Sequence, residues 1–457
     1  MGSYKELIAC FFQMESAERL FEIKDERGIY VWDLVRYYVF STLLFPDEIT
    51  VSYNSHRLTL RSIISKILSF FQNVWIILFV RKKYFFFLNS RNRFPGSGLF
   101  FDQNAYDTLC LLPVRECLLN EVYPTQRKDV YGATTLFFTS GILYRLLAKN
   151  VPSYDYSAIK AVIDKHFPNN RISIDRLASE YINYYREKRL YKVIFKRTST
   201  KLLFVTQAGI RKGIYSAAKE LSIPTIEFNH GIVHDGHMAY SYPQLNDIHN
   251  YNADYIFALS DFWFRDMFLP HTEVIPVGNN YFRPQCAHPC TPESDNRILV
   301  ISSSEVVSDL KEFLIKTFKQ CPDTLKYEFI FKLHPNQFEQ KADCERFFSD
   351  YPIITVITNE KNVPQCMQDC STMLVIESTA AFEALQMGRK VAILKRRSFE
   401  SLQILFSHPN VHLVEAPEDL ILAMNAPVQI SETEYFSAFD ADKARNAIDK
   451  ILGNGRP

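Results

Sequence analysis

From residue 200 onward the chain alternates short apolar runs with amphipathic ones, and this rhythm restricts the fold more than any other feature. "KLLFVTQ" reads as a strand, "GIRKGIYSAAKELS" as a helix and "IPTIEFN" as a second strand. A strand, helix, strand unit of this length implies parallel pairing, which places the loop leaving Asn229 at the carboxyl edge of a parallel sheet. The alternation continues through "ADYIFALS", a helix "DFWFRDMF" capped by Ser260 or Asp261, and the strand and turn "TEVIPVGNNYF". It breaks at "RPQCAHPCTPESDNR", residues 283–297, which has no apolar period and reads as a linker. A second series follows: "RILVISSS", "EVVSDLKEFLIKTFKQC", "KYEFIFKLHP", "ITVIT", then "STMLVIES" running into the helix "TAAFEALQM" that Gly388 ends, and "KVAILK". "AFDADKARNAIDKILG" is a final amphipathic helix, and there is no internal repeat.

A chain of 457 residues is too long for one ordinary core. The fold expected is therefore α/β: two Rossmann-like domains facing across a cleft, the GT-B arrangement, covering residues 1–282 and 298–430 on either side of the linker 283–297. Carboxyl edges of open parallel sheets bind ligands, and a cleft between two of them suits a two-substrate reaction that excludes water. The first hundred residues are rich in aromatic and aliphatic runs, with "KYFFFLNS" the clearest buried strand. Residues 62–80, "SIISKILSFFQNVWIILFV", approach membrane-spanning length, but Lys66, Gln72 and Asn73 interrupt them. They read as an amphipathic helix that packs into the first domain, with peripheral contact to a membrane surface as the alternative.

The formal net charge of +1 gives no whole-molecule electrostatic case for nucleic acid. Nine cysteines, an odd number, and no stretch of secretory-signal order point to reduced thiols in a cytoplasmic protein, peripheral at the inner face of the membrane if residues 62–80 touch it. Cys286-x3-Cys290 and Cys366-x3-Cys370 lack zinc-knuckle spacing.

Four loops carry candidate chemistry. "EFNHGIVHDGHMAY" holds His230, His234 and His237. Two glycines in the eight residues from His230 to His237 argue against the helix that would turn His230 and His234 toward one zinc ion, and no Glu follows His230. His230 instead suits a general base for an acceptor hydroxyl, or a donor to a leaving phosphate, with Gly231 allowing close approach. His234, His237, Tyr240 and Tyr242 are weaker candidates, the tyrosines as an aromatic wall for a sugar. Glu227 and Asp102 are rival carboxylate bases, and the residues alone do not choose among the three. In the second half, "ISSSE" offers Ser302, Ser303 and Ser304 to phosphate, and "FKLHPNQ" places Lys332, His334 and Pro335 at a strand end. "VIESTAAFEALQMG" delivers Glu377, Ser378 and Thr379 to a helix start, with Glu383 one turn in and able to reach ribose hydroxyls. The run Lys395, Arg396, Arg397 is either a phosphate neutraliser or a solvated surface.

"KLHPN", "ESTAAFEALQMGRKVAIL", "NHG" and "ADYIFALSDFW" together resemble GT-B glycosyltransferases of bacterial surface-polysaccharide assembly, above all capsule and lipopolysaccharide transferases. The resemblance covers about residues 200–400. In members that transfer sialic acid, Kdo or glycerophosphate, a His-Pro pair and a Ser/Thr pair hold the cytidine nucleotide. His334 and Pro335 match the first pair, and Ser378 and Thr379 the second. UDP-using members carry similar "STAAFEA" loops, so the resemblance favours a CMP-sugar, such as CMP-Kdo or CMP-sialic acid, and leaves a UDP-sugar as the alternative. The resemblance implies acceptor binding by residues 1–282, nucleotide-sugar binding by 298–430, and a helix within 431–457 crossing back to the first domain. The partners implied are a nucleotide-sugar donor and a glycan or lipid-linked glycan acceptor. Neither a cofactor nor a metal is expected, since fixed dipoles and basic groups can stabilise the leaving phosphate. Rival readings are a UDP- or GDP-sugar transferase, a non-hydrolysing UDP-sugar 2-epimerase, and a non-catalytic component of glycan assembly.

Overall fold

The computed structural model describes residues 4–44, 60–89, 92–93, 99–121, 130–137, 151–206, 211–245, 248–282, 296–303, 306–396, 398–431 and 433–454. Ser304, Arg397, Cys286, Cys290 and most of the linker lie outside the described residues. Two compact units emerge, one comprising residues 1–281 with 438–457, the other Phe282–Ser437.

The first unit is built on strands β1 (Tyr84–Leu88), β4 (Cys117–Glu121), β5 (Thr134–Phe137), β6 (Leu202–Thr206), β7 (Thr225–Phe228), β8 (Tyr255–Ala258) and β9 (Glu273–Pro276). A two-stranded antiparallel ribbon, β2 (Asn92–Arg93) with β3 (Phe100–Phe101), stands apart. The main sheet is wholly parallel in the order β5-β4-β1-β6-β7-β8-β9, so the chain starts at the centre, winds outward, and returns to wind the other way. Every residue of β1, β4, β6 and β7 is buried, as expected for strands covered on both faces. On one face Phe86 and Phe204, cross-strand partners, stack at 4.3 Å, and Phe228 continues the stack at 5.8 Å from Phe204. The last helix of the chain, Ala441–Asn454, lays Ala444, Ile448 and Ile451 into this same cluster. Their spacing of four and three residues puts them on one helical face, and each isoleucine buried there contributes about 1.5–3 kcal/mol.

A helical layer with its own core covers part of this unit. It contains α1 (Tyr4–Ala17), α2 (Trp32–Leu44) and residues from two further helices, Ser157–His166 and Ile174–Thr198. α1 and α2 are joined by a buried ion pair: Arg36, 1% exposed, donates to Glu15, which also accepts from the Trp32 indole at 2.8 Å. The remaining Arg36 donor goes to the carbonyl of Met238. Breaking one partner of such a pair strands a buried charge, which is why it fixes the layer's position.

The second unit is a parallel sheet of β10 (Arg297–Ile301), β11 (Glu328–Lys332), β12 (Ile354–Ile357), β13 (Thr372–Val375), β14 (Lys390–Leu394) and β15 (Val411–Val414). Its order, β12-β11-β10-β13-β14-β15, is the doubly wound Rossmann order. The two units are thus both Rossmann-like parallel α/β domains, the domain content of a GT-B enzyme. "DFWFRDMF" departs from expectation: residues 261–266 form a run of turns, not a helix. Trp263 and Phe264 are adjacent in sequence and both buried, and the Ser260 hydroxyl accepts from Phe262 N–H at 3.3 Å, holding the chain in a turn.

Candidate functional site

In the second unit the strand order reverses between β10 and β13, and the loops leaving these neighbours bear Ser302 and Ser303 on one side and Glu377, Ser378 and Thr379 on the other. Crevices at such reversal points are where open α/β sheets bind ligands. The loop after β11, carrying His334, is next along the edge.

These loops are held together by Gln337, a residue the sequence reading passed over. Its side chain is fully buried. Its carbonyl oxygen accepts from the Ser302 hydroxyl at 2.9 Å and from the His334 N–H at 3.2 Å, while its amide donates to the Ser303 carbonyl at 3.2 Å. One amide therefore fixes the β10 and β11 loops against each other. Among the described residues the buried Ser303 Oγ has no hydrogen-bond partner, a donor left for something else. Pro335 opens a short helix, Pro335–Gln340, and so presents His334, half-buried, at the bend.

On the other side of the reversal point, Ser378 Oγ accepts from Ala380 N–H at 3.2 Å, leaving its own proton to donate. Glu377, Ser378 and Thr379 are all partly exposed. The helix they precede, Ala380–Gln386, spans two turns, too short for the sizeable end charge expected of it. Gly388, at φ 70°, ends it in the left-handed conformation that glycine adopts without strain. Glu383 is 8% exposed and has no partner among the described residues, and burial pushes its carboxyl up to about 8. It is therefore largely uncharged at neutral pH.

One expectation fails here, and one open choice is decided. The Lys332 ammonium is not turned to a ligand. It donates to the carbonyls of Thr358 and Lys361, each at 2.6 Å, and burial depresses its pKa. Lys395 pairs with Glu415 at 2.9 Å at the surface and an Arg396 donor goes to a backbone carbonyl, so these two belong to a solvated face.

In the first unit the histidine loop follows β7. The rings of His234 and His237 lie 6.1 Å apart, and the neighbouring imidazoles of His234 and His230 both disfavour a charge on His237. Burial comes first among the causes, and it lowers His234 to about 4 and His237 to about 3. His234 Nδ1 receives Gly236 N–H at 3.1 Å and lies 3.1 Å from the Tyr4 hydroxyl. With Nδ1 accepting, the neutral ring carries its proton on Nε2. A Cβ added to Gly236 would stand 1.8 Å from the Tyr4 oxygen, so a side chain there would push the Tyr4 ring off the loop. In front of Gly231 there is open space.

The structure separates the three candidate bases. Glu227 is 1% exposed and lies beneath the loop, accepting from the hydroxyls of Tyr240 and, at 3.5 Å, Tyr215. Asp102, also 1% exposed, accepts from the backbone N–H groups of Asn89 at 2.8 Å and Asn104 at 2.9 Å. Both carboxylates are buried and committed to internal hydrogen bonds. His230 is partly exposed at the carboxyl edge. Tyr240 and Tyr242 are also corrected: both are buried, with their hydroxyls directed to Glu227 and to Asp33 and Asn252, so they form no open wall. Among the described residues no group of three or more His, Cys, Asp or Glu could hold a metal ion.

The class defined by the fold is that of tandem Rossmann-like domains. A family model described as "Capsule polysaccharide biosynthesis protein" matches residues 288–402, most of the second unit. Among solved structures, the chain is similar to UDP-GlcNAc 2-epimerase from Methanocaldococcus jannaschii, at 12% identity and TM-score 0.45, over 81% of this chain and 100% of that one. It is also similar to MurG from Acinetobacter baumannii, at 13% identity and TM-score 0.43, over 81% and 98%. A third is α,α-trehalose 6-phosphate synthase from Burkholderia multivorans, at 12% identity and TM-score 0.42, over 82% and 91%. No curated protein sequence matches the chain.

Proposed function

We propose that this protein is a glycosyltransferase of bacterial capsule or related surface-polysaccharide assembly, moving a sugar from a nucleotide-activated donor to a glycan hydroxyl. The observation that carries this reading is the cluster at the strand-order reversal of the second unit. Ser302 is buried and spends its hydroxyl on Gln337, so it braces the loop and does not meet a ligand; Ser303 on that loop, His334, Ser378, Thr379 and the buried Glu383 lie along one edge. Hydroxyls and imidazole suit phosphate oxygens, and a buried carboxyl suits a ribose diol. The capsule-biosynthesis match over the same residues supports the same reading. His230 is the base we assign to the acceptor hydroxyl, because it alone of the three candidates is partly exposed. A CMP-sugar is our preferred donor.

The test is a thermal-shift panel of CMP, CDP, UDP, UMP and GDP on the purified protein, repeated with His334→Ala. A ligand at a hundred times its dissociation constant stabilises the folded state by about 2.7 kcal/mol. A shift by cytidine nucleotides, lost in His334→Ala, supports the CMP-sugar donor. A shift by UDP or GDP replaces the donor, and incubating the nucleotide sugar alone then separates a transferase from a 2-epimerase, whereas no shift by any nucleotide refutes the site.

A further inference from the structure

Helix α3, Leu60–Phe79, sets Ile76 and Ile77 into the core against the sheet, but apolar groups are not confined to that side. Its inward face carries polar groups: Ser69 is fully buried and Asn73 is 4% exposed, beside Ile76 and Ile77. Asn73 is directed at β5, the edge strand of the sheet, where its amide donates to the Phe137 carbonyl and its oxygen accepts the Phe137 N–H at 3.1 Å. The side chain completes the backbone pairing that the strand's open edge lacks, and so fixes the helix rotation. Gln72 adds a longer contact to the Thr135 carbonyl at 3.5 Å.

That rotation turns the large apolar residues outward. Ile67, Leu68, Phe71, Trp75, Leu78 and Phe79 line one face, with Phe71 65%, Trp75 57% and Phe79 67% exposed. A contiguous aromatic and aliphatic face of this kind marks an interaction surface. Its charge setting identifies the occupant. From Ile49 to Phe101 the sequence holds eight Lys or Arg and no Asp or Glu, in a chain whose formal net charge is +1. Directly after the helix, Arg81 donates to the carbonyls of Leu78 and Val80, placing its guanidinium at the end of the apolar face. Backbone hydrogen bonds from Lys82 to Thr198 and from Lys201 to Lys83 bring the chain segment that carries exposed Lys196, Arg197 and Lys201 next to the end of the helix. Trp and Phe bordered by Lys and Arg match an interface whose interior is hydrocarbon and whose rim is anionic. Two copies meeting through this face would bring two acid-free segments together. No described helix is long and apolar enough to cross a membrane.

We propose that the outer face of α3 docks on an anionic phospholipid surface, with Phe71, Trp75 and Phe79 entering the acyl boundary and the basic collar meeting the headgroups. The inference is independent of the donor assignment. It is tested by flotation of the full chain with phosphatidylglycerol/phosphatidylethanolamine vesicles, against phosphatidylcholine alone, for wild type and Phe71→Ser/Trp75→Ser. Both residues are outside the core, so the double variant keeps its thermal unfolding profile. Trp32 and Trp263 are buried, which leaves Trp75 as the exposed reporter. The expected result is flotation with the anionic vesicles and a blue shift of tryptophan emission. Binding should fall at least about tenfold in the aromatic variant, fall also in Lys196→Glu/Arg197→Glu, and weaken with salt. Equal flotation of the aromatic variant, or no wild-type flotation and no emission shift, overturns the proposal. So does a concentration-dependent dimer that disappears in the aromatic variant without any vesicle binding.

Discussion

Replacing Glu383 by Gln offers a quantitative test of the second unit's site. The carboxyl is 8% exposed with no described partner, and its pKa rises from 4.5 to about 8 through burial. The folded state therefore holds a proton that the unfolded chain releases across this window. Because the folded pKa is the higher one, the contribution to stability is complete below pH 4.5 and is lost as pH rises through about 8. At roughly 1.36 kcal/mol per unit, the wild type loses about 2 kcal/mol by pH 6 and about 3 kcal/mol by pH 7 relative to acid. Glutamine is close to isosteric and never ionises, so Glu383→Gln should match wild type near pH 4 and exceed it by about 3 kcal/mol at pH 7. Urea unfolding of both proteins at several pH values, followed by near-ultraviolet circular dichroism, reads the difference. A difference that stays flat from pH 4.5 to 8 refutes the buried, protonated carboxyl. The same variant bears on function. If the carboxyl binds a ribose diol, nucleotide affinity in the wild type should rise as pH approaches 8, since the hydroxyls favour the carboxylate. The rise should be absent in Glu383→Gln, as isothermal titration calorimetry would show.

Three further outcomes are expected. Gln337→Ala should leave the buried Ser302 hydroxyl and the His334 N–H without their acceptor, cost about 1–3 kcal/mol, and weaken nucleotide binding, measured by thermal shift. Gly236→Ala should push the Tyr4 ring away from the loop and break its hydroxyl contact with His234, raising the solvent exposure of Tyr4 in tyrosine absorbance difference spectra; an unchanged spectrum would mean Tyr4 does not rest on Gly236. His234 and His237 have folded pKa values depressed to about 4 and about 3 from 6.5, so the unfolded chain binds more protons between these values. Stability should fall as pH drops from 6.5 toward 4, and His237→Gln should flatten the fall in an acid unfolding series.

Most of the architecture could be read from period alone. Strands such as Leu202–Thr206 and Thr372–Val375 are short, fully buried, apolar but for one threonine each, and bounded by helical runs, the usual pattern of a strand covered on both faces. Cys117–Glu121 was not legible, because its sequence, CLLNE, ends in Asn and Glu that are nonetheless buried. The paired helices around residues 157–198 were missed for a related reason. Their tyrosine-rich faces meet α1 and α2 in a core separate from the sheet's, and that core is built from contacts distant in sequence.

The chemistry divides along the same line. The sequence by itself determined the two parallel α/β series, the strand-end placement of Ser302, His334, Ser378 and Thr379, and the end of a helix at Gly388, because each follows from local periodicity or from one residue's backbone preference. Only the tertiary structure decided which side chains are available. Lys332 and Glu227 lie at strand ends as a ligand group would, yet their charges are met by partners far along the chain. Gln337 acquires its role by bridging two loops, and Trp75 its exposure because Asn73 pairs with an edge strand more than sixty residues away. A hydrogen bond has no periodicity in sequence, and the direction a side chain faces is set by whatever else packs beside it.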